Sequence, residues 1–159
     1  MSDPKISVVT VCYNSFDMLK ETMQNVDKQT YDNFEYIVVD GNSSDGTVDY
    51  LKNYNGKLTK YISEPDKGIY DAMNKGVKIS SGDYVIFLNA GDIFAEDDTL
   101  KNIFHNKEYD SDIIYGDVIR KKRNGILLLK KAPKPYNSHK MYFCHQSCFA
   151  KRDCLIDYP

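Results

Sequence analysis

Four strand-like runs in this chain end in carboxylates and small polar residues. Val11-Cys12 runs into Tyr13-Asn14. Ile37-Val38-Val39 runs into Asp40-Gly41-Asn42-Ser43-Ser44-Asp45-Gly46-Thr47. Ser63 runs into Glu64-Pro65-Asp66-Lys67-Gly68, and Tyr84 to Leu88 into Asn89-Ala90-Gly91-Asp92. Any one of these could be a turn and nothing more, since Asp, Asn and Gly make turns. Four feeding one edge point instead to a binding site. The chemistry open to it is cation-mediated: a divalent ion prefers oxygen ligands and can bridge a carboxylate to two phosphate oxygens. Asp92, at the end of a buried run in a glycine-containing loop, is the best candidate for that ion, although it also suits capping the next turn. Asp40 can accept a hydrogen bond from a base N–H or a ribose hydroxyl. Asp45 and Thr47 suit helix capping at least as well as ligand contact. Lys67 and the helix start at Gly68 both favour an anion, though a lysine is more often simply solvated.

Two familiar phosphate-binding motifs are excluded. The turn from Cys12 to Phe16 has no glycine, so it is not a dinucleotide-binding Gly-x-Gly-x-x-Gly. Gly41 to Thr47 has the glycine spacing of a P-loop but no lysine between Gly46 and Thr47. Cys144, Cys148 and Cys154 lie near His139 and His145, yet no second Cys pair completes a zinc pattern, and free thiols are the better reading. Tyr13 and Tyr70 are the tyrosines best placed for ligand contact. The basic run Arg120 to Arg123, with Lys130-Lys131, reads first as a solvated hairpin and second as a contact for anionic lipid or a lipid-linked acceptor.

The elements that must hold these residues follow from periodicity. Lys5–Cys12, Phe34–Val39, Thr59–Ser63, Asp83–Leu88 and Asp112–Tyr115 read as strands. Ser15–Asp27, Thr47–Tyr54, Gly68–Ile79 and Asp98–Phe104 carry apolar stripes at helical spacing. Val118–Lys122 and Ile126–Lys131 flank Asn124-Gly125, a two-residue hairpin signal. Ala132 to Asn137 reads as a loop, and Lys140 to Tyr158 has no clear period. The alternation predicts an α/β fold with a mostly parallel, doubly wound sheet and a β-hairpin near the C-terminal part. Such sheets bind ligands at the carboxyl ends of their strands.

With 159 residues, 42% of them hydrophobic, and a net charge of −2, the chain is expected to be one globular domain with no nucleic-acid footprint. No apolar run reaches membrane-spanning length and no signal peptide is evident, which points to the cytoplasm.

Three blocks now carry a resemblance. Ile6 to Asn14, Tyr36 to Thr47 and Ser63 to Gly76 resemble, in order, the donor-binding blocks of family 2 glycosyltransferases of the GT-A fold, closest to those of O-antigen, capsule and exopolysaccharide assembly. Tyr115-Gly116-Asp117 and His145-Gln146-Ser147 are weaker matches to the same subgroup. The resemblance implies that Thr10, Cys12, Tyr13 and Asn14 line a nucleoside pocket, that Asp40 reads the base with Ser43 beside it, and that Asp66, Asp71 and Asn74 lie near the diphosphate and donor sugar. Asn89-Ala90-Gly91-Asp92 would be the metal-binding acidic motif, here reduced to the single carboxylate of Asp92. The implied reaction is inverting transfer from a UDP-, GDP- or dTDP-sugar to a saccharide or lipid-linked acceptor hydroxyl, assisted by Mg²⁺ or Mn²⁺, at the cytoplasmic face of the inner membrane. A non-catalytic nucleotide-sugar binder is the alternative. Residues 1–92 would form the nucleotide-sugar half and 93–159 the start of an acceptor half. Family members are longer, so the chain is expected to stop short of its catalytic base; Asp117 and His145 are the fallback candidates, His145 reading first as a packing element.

Overall fold

A computed structural model of the chain describes residues 3–132 and 144–157. The first half alternates as expected: β1 (Ile6–Cys12), α1 (Phe16–Asp27), β2 (Phe34–Asp40), α2 (Thr47–Lys52), β3 (Leu58–Ser63), α3 (Ile69–Ile79), β4 (Tyr84–Phe87) and α4 (Thr99–Phe104). There follow β5 (Ile113–Tyr115), β6 (Val118–Lys121), β7 (Leu127–Lys130), a 3₁₀ turn at His145–Ser147, β8 (Cys148–Lys151) and α5 (Arg152–Asp157). The main sheet has the order β3-β2-β1-β4-β8-β5.

β1 is buried at all of its residues and β2 at all but Phe34, because helices cover both faces. Successive side chains therefore enter two different cores. Val8, Tyr36, Val38 and Ile86 face Leu19, Met23 and Val26 of α1 and Leu100 and Phe104 of α4. Val9, Val11, Ile37, Val39 and Val85 face Ala72, Met73 and Val77 of α3. On this second face α3 comes close: a Cβ on Gly76 would lie 2.4 Å from Cγ1 of Val9. No helix among the described residues is long and apolar enough to cross a membrane.

Three expectations need correction. The stretch after residue 140, which shows no period, supplies β8, and β8 runs antiparallel between β4 and β5. Its anchor is Phe149, which is buried and meets Phe104 edge-on with centroids 5.0 Å apart. The hairpin forms, but its turn is longer than two residues. The Lys122 N–H donates to the Ile126 carbonyl and Gly125 takes φ +81°, the left-handed residue of a three-residue loop. The second helix also ends at Lys52, two residues early. His139 and the loop residues 133–137 lie outside the described residues.

Candidate functional site

Parallel pairing brings the carboxyl ends of β3, β2, β1 and β4 to one edge. Backbone bonds extend the pairing into the loops: Gly41 N–H donates to Cys12 O, Glu64 N–H to Asp40 O, and Ala90 N–H to Val11 O. The loops then touch. A Cβ on Gly41 would stand 2.6 Å from Oδ2 of Asp66 and 3.3 Å from Cδ2 of Tyr13, so side chains from the first and third loops close over the glycine of the second, and any larger residue would have to displace the Asp66 carboxylate.

Asp40 lies at the bottom of this edge with 0% exposure. Its Oδ2 accepts from Ser63 Oγ at 2.6 Å and from the Ser43 N–H at 3.0 Å. Its Oδ1 accepts from the Ser43 hydroxyl, with the Cys12 thiol 3.7 Å away. Burial first, and then the Asp40 charge, push that thiol well above its ordinary range, so Cys12 stays neutral. Ser43 Oγ in turn accepts from the Asn14 N–H at 2.8 Å, and Asn14 Oδ1 accepts from the Ser44 N–H at 2.9 Å. Asn14 has φ +45°, a left-handed conformation that asparagine tolerates. Asp45 spans two helix starts: it accepts from the Phe16 N–H at 2.9 Å and from the Thr47 hydroxyl at 2.6 Å. These bonds, the Thr47 hydroxyl foremost, lower its pKa.

The expected pocket lining therefore divides into two layers. Thr10 is withdrawn from it. It is 0% exposed, and its hydroxyl accepts from the Tyr36 phenol at 3.0 Å. Cys12 and Asp40 also sit below the surface. Tyr13, 65% exposed, and Tyr70, 79% exposed, stand in front.

On the β3 side, Asp66 Oδ1 accepts from the Gly68 N–H at 2.9 Å, and Asp71 Oδ2 accepts from the Lys67 N–H at 3.0 Å. The second bond is the main reason the Asp71 pKa falls below its usual value. Lys67 is exposed, and Asn74 is half-buried on α3. Lys75, which sequence reading passed over, ties this corner together. Its Nζ lies 3.0 Å from Glu64, 3.5 Å from Asp71 and 2.7 Å from the Pro65 carbonyl. The Asp71–Lys75 spacing of four is the signal that would have found it.

On the β4 side, the loop carrying Asp92 is fastened to α1. Thr22 Oγ1 accepts from the Gly91 N–H and donates to the Asp92 carbonyl, each at 2.9 Å. Asn25 makes a reciprocal pair with the Phe94 backbone, and Gln29 bonds Glu96 O and the Leu100 N–H. Thr22 and Asn25 on α1, with Gln29 just past its end, form a polar patch that an apolar count along the helix conceals.

His145 arrives here from the far end of the chain. Its Nε2 lies 3.3 Å from Nδ2 of Asn89, and it is exposed rather than packed. Asp117 is occupied otherwise: Oδ1 accepts from the Ala132 N–H at 2.8 Å, closing the base of the β6–β7 hairpin.

For a divalent cation this side offers oxygen donors beside the His145 imidazole. Asp92 is half-buried, and Asn89 Oδ1 is buried with no hydrogen-bond partner. No three His, Cys, Asp or Glu residues among the described ones converge as a metal cage. One carboxylate and one amide oxygen fit an ion that keeps waters and takes its remaining ligands from substrate phosphates. Two concavities lie elsewhere, one lined by Tyr31, Asp32, Phe34 and Lys57 and the other by Pro4, Ser81, Gly82 and neighbours. Neither contains a residue of the carboxyl edge, hereafter the shelf.

Known proteins share this architecture. The model of glycosyl transferase family 2 matches residues 7–153. A PGL/p-HBAD biosynthesis glycosyltransferase of Mycobacterium bovis is 32% identical over 96% of the chain and 61% of its own length. The chain thus spans about three fifths of that relative. Among solved structures, mannosyltransferase PcManGT from Pyrobaculum calidifontis, in complex with GDP-Man and Mn²⁺, superposes with a TM-score of 0.58 at 25% identity, over 64% of this chain and 32% of that one. TarS of S. aureus, in complex with UDP-GlcNAc, gives 0.56 at 29% identity over 62% of this chain and 30% of that one.

Proposed function

The chain belongs to glycosyl transferase family 2, and from that premise we propose that it binds a nucleoside-diphosphate sugar on the shelf and serves transfer of the sugar to an acceptor hydroxyl. The observation that carries this reading is the contact of Tyr13, Gly41 and Asp66 across three successive strand ends. Residues 1–92 supply the donor half, and residues 93–159 begin the acceptor half. The exposed Tyr13 ring offers a stacking face for the base. Asp40 reads a base N–H by exchange: the half-buried Ser43 hydroxyl swings away, and the base N–H takes its place on Oδ1. The charge-assisted bond is kept, so the buried carboxylate is never left unpaired. Asp66, Lys67, Asp71 and Asn74 lie along the path of the diphosphate and sugar, with Lys75 balancing Asp71 and Glu64.

Asp92 and Asn89 would hold Mg²⁺ or Mn²⁺, which would offset charge on the departing diphosphate. Within this chain His145, 3.3 Å from Asn89, is the residue that would take the acceptor proton. Transfer is inverting and serves assembly of a cell-surface glycan, such as an O-antigen or capsule, on a saccharide or lipid-linked acceptor at the cytoplasmic face of the membrane. The donor's base is uracil, guanine or thymine. The relatives in complex with GDP-Man and UDP-GlcNAc support the donor class. The single carboxylate of Asn89-Ala90-Gly91-Asp92 favours a second reading, a non-catalytic nucleotide-sugar binder. Calorimetry with UDP-, GDP- and dTDP-sugars, with and without Mn²⁺, is followed by an assay of diphosphate release. The proposal expects tight binding of one donor type and release that depends on acceptor. Binding without release supports the second reading, and no binding of any donor sinks both.

A further inference from the structure

The β6–β7 hairpin stands apart as its own two-stranded sheet. Every residue from 119 to 131 is exposed. Ile119, Ile126, Leu127, Leu128 and Leu129 are between 44% and 63% exposed, in a molecule whose other aliphatic side chains mostly enter the two cores. Between Val118 and Lys131 there are six cations, Arg120, Lys121, Lys122, Arg123, Lys130 and Lys131, and no acidic residue. The net charge of the chain is nevertheless −2, so the rest of the protein is acidic.

Register mixes the two residue types on both faces. Ile119 pairs with Leu129 and Lys121 with Leu127; Arg120 pairs with Leu128 and Val118 with Lys130. Successive pairs alternate between faces, so each face carries both leucine or isoleucine and a cation. Such a ribbon is not built to lie with one face on a protein core. A second copy of the chain would place six like charges against six others, which repels. An anionic bilayer surface answers both halves of the composition: headgroups neutralise the cations, and the interface takes up the aliphatic side chains.

We propose that the β6–β7 hairpin docks the protein on an anionic membrane surface. Insertion leads with the turn, Lys122 to Ile126, while the acidic remainder of the chain is repelled and held off. The base of the hairpin meets the shelf. Gly116 N–H donates to the Ser147 carbonyl at 3.0 Å, and the Ser147 hydroxyl donates to the Gly116 carbonyl at 3.0 Å, two residues from His145. Docking therefore presents the His145–Asn89 side of the shelf to the bilayer, where a lipid-linked hydroxyl would arrive. That last step rests on the glycosyltransferase reading; docking itself does not.

The test is co-sedimentation of the whole chain, without nucleotide, with vesicles of phosphatidylcholine alone or mixed with phosphatidylglycerol. Binding is expected only to the mixed vesicles, and it weakens as salt is raised. The combined variant R120Q/K121Q/K122Q/R123Q should lose affinity by about 100-fold or more, and L127S/L129S by about tenfold. Both change exposed positions only, and unchanged melting and donor affinity would show the fold and shelf intact. The chain has no tryptophan, so Ile126→Trp gives a single reporter whose emission should shift to the blue on mixed vesicles. Absence of sedimentation, equal sedimentation with uncharged lipid, or sedimentation without the blue shift would each overturn the proposal. Loss of donor binding with vesicle binding intact would count against the transferase reading instead.

Discussion

Asp40 shows how much depends on depth. A carboxylate with no exposed surface can meet a base only if a present donor leaves, and Ser43 is the donor that covers it. Exchange makes two variants behave oppositely. Ser43→Ala removes the donor that must move, and nucleotide affinity should stay within about threefold of wild type. Asp40→Asn turns an acceptor into a donor facing Ser43 and Ser63, and affinity should fall at least about tenfold. Calorimetry on the pair decides the matter; a large loss in Ser43→Ala would show that the hydroxyl, not the carboxylate behind it, meets the ligand. Thr22 makes a second case. Thr22→Val keeps the shape but leaves the Gly91 N–H without its acceptor and the Asp92 carbonyl without its donor, two part-buried hydrogen bonds whose loss together costs about 1–3 kcal/mol. Because Asp92 is then held less firmly, the Mn²⁺-dependent part of donor binding should weaken with it, as it should more severely in Asp92→Ala. Metal-dependent binding untouched in Asp92→Ala would remove the metal assignment. That these residues matter could be read from the sequence, since Asp, Asn and Gly punctuate the ends of apolar runs. Which of them stand in front and which behind could not. Layering comes from packing, and Thr10 and Tyr13 look equally eligible until Tyr36 is seen to claim the Thr10 hydroxyl.

The parallel strands were legible because burial on both faces leaves continuous β-branched runs. Thr22 and Asn25 were hidden within a helix chosen for its apolar spacing, and Gln29 lies just beyond its end. The opposite, amino-terminal edge of the sheet shows what holds the strands in place when no ligand is involved. Glu35 on β2 is 2% exposed, and its side chain accepts from Ser7 Oγ at 2.6 Å and from the Ser81 N–H and hydroxyl, with Lys5 at 3.6 Å and Lys60 at 3.5 Å. Burial raises its pKa, but the bonds from Ser7 and Ser81 and the Lys5 charge outweigh burial and lower it from 4.5 to about 2. A depressed carboxylate stabilises the fold above its unfolded pKa. That stability is lost as pH falls from about 4.5 towards 2. Glu35→Gln should therefore cost about 1–3 kcal/mol at neutral pH, and the gap to wild type should narrow on acidification; denaturant melts across that range measure it. A gap that widens in acid would mean that burial, not hydrogen bonding, governs Glu35. On the other face, Gly76 gives up helix propensity to let α3 approach Val9. Gly76→Ala gains about 1 kcal/mol of propensity but overpacks the contact at a cost of about 1–3 kcal/mol, so a net loss of stability is expected.

The chain closes on itself in a way that its order conceals. β8 contains only Cys148-Phe149-Ala150-Lys151, too short and too little alternating to announce a strand, yet it enters the sheet between β4 and β5. What admits it is cross-chain fit: Phe149 fills the space beside Phe104, which Tyr31, Tyr84 and Tyr109 also surround. Such fit is a property of partners far apart in order, and no local pattern records it. One consequence reaches the shelf. His145 lies three residues before β8, so Asn89 and His145 meet only while Phe149 is seated. Phe149→Ala should destabilise the protein by about 3–5 kcal/mol, the usual range for deleting a buried aromatic ring. It should also free the His145 segment before the donor loops are disturbed, since Tyr13, Asp40 and Asp66 are held by β1, β2 and β3 alone. Nuclear magnetic resonance can follow both ends in one sample kept below its melting point. The His145 ring signals should lose their fixed environment while the amides of residues 40–47 keep theirs. If both groups of signals move together, the carboxyl edge is one cooperative unit, and the division into a donor half and an acceptor half fails.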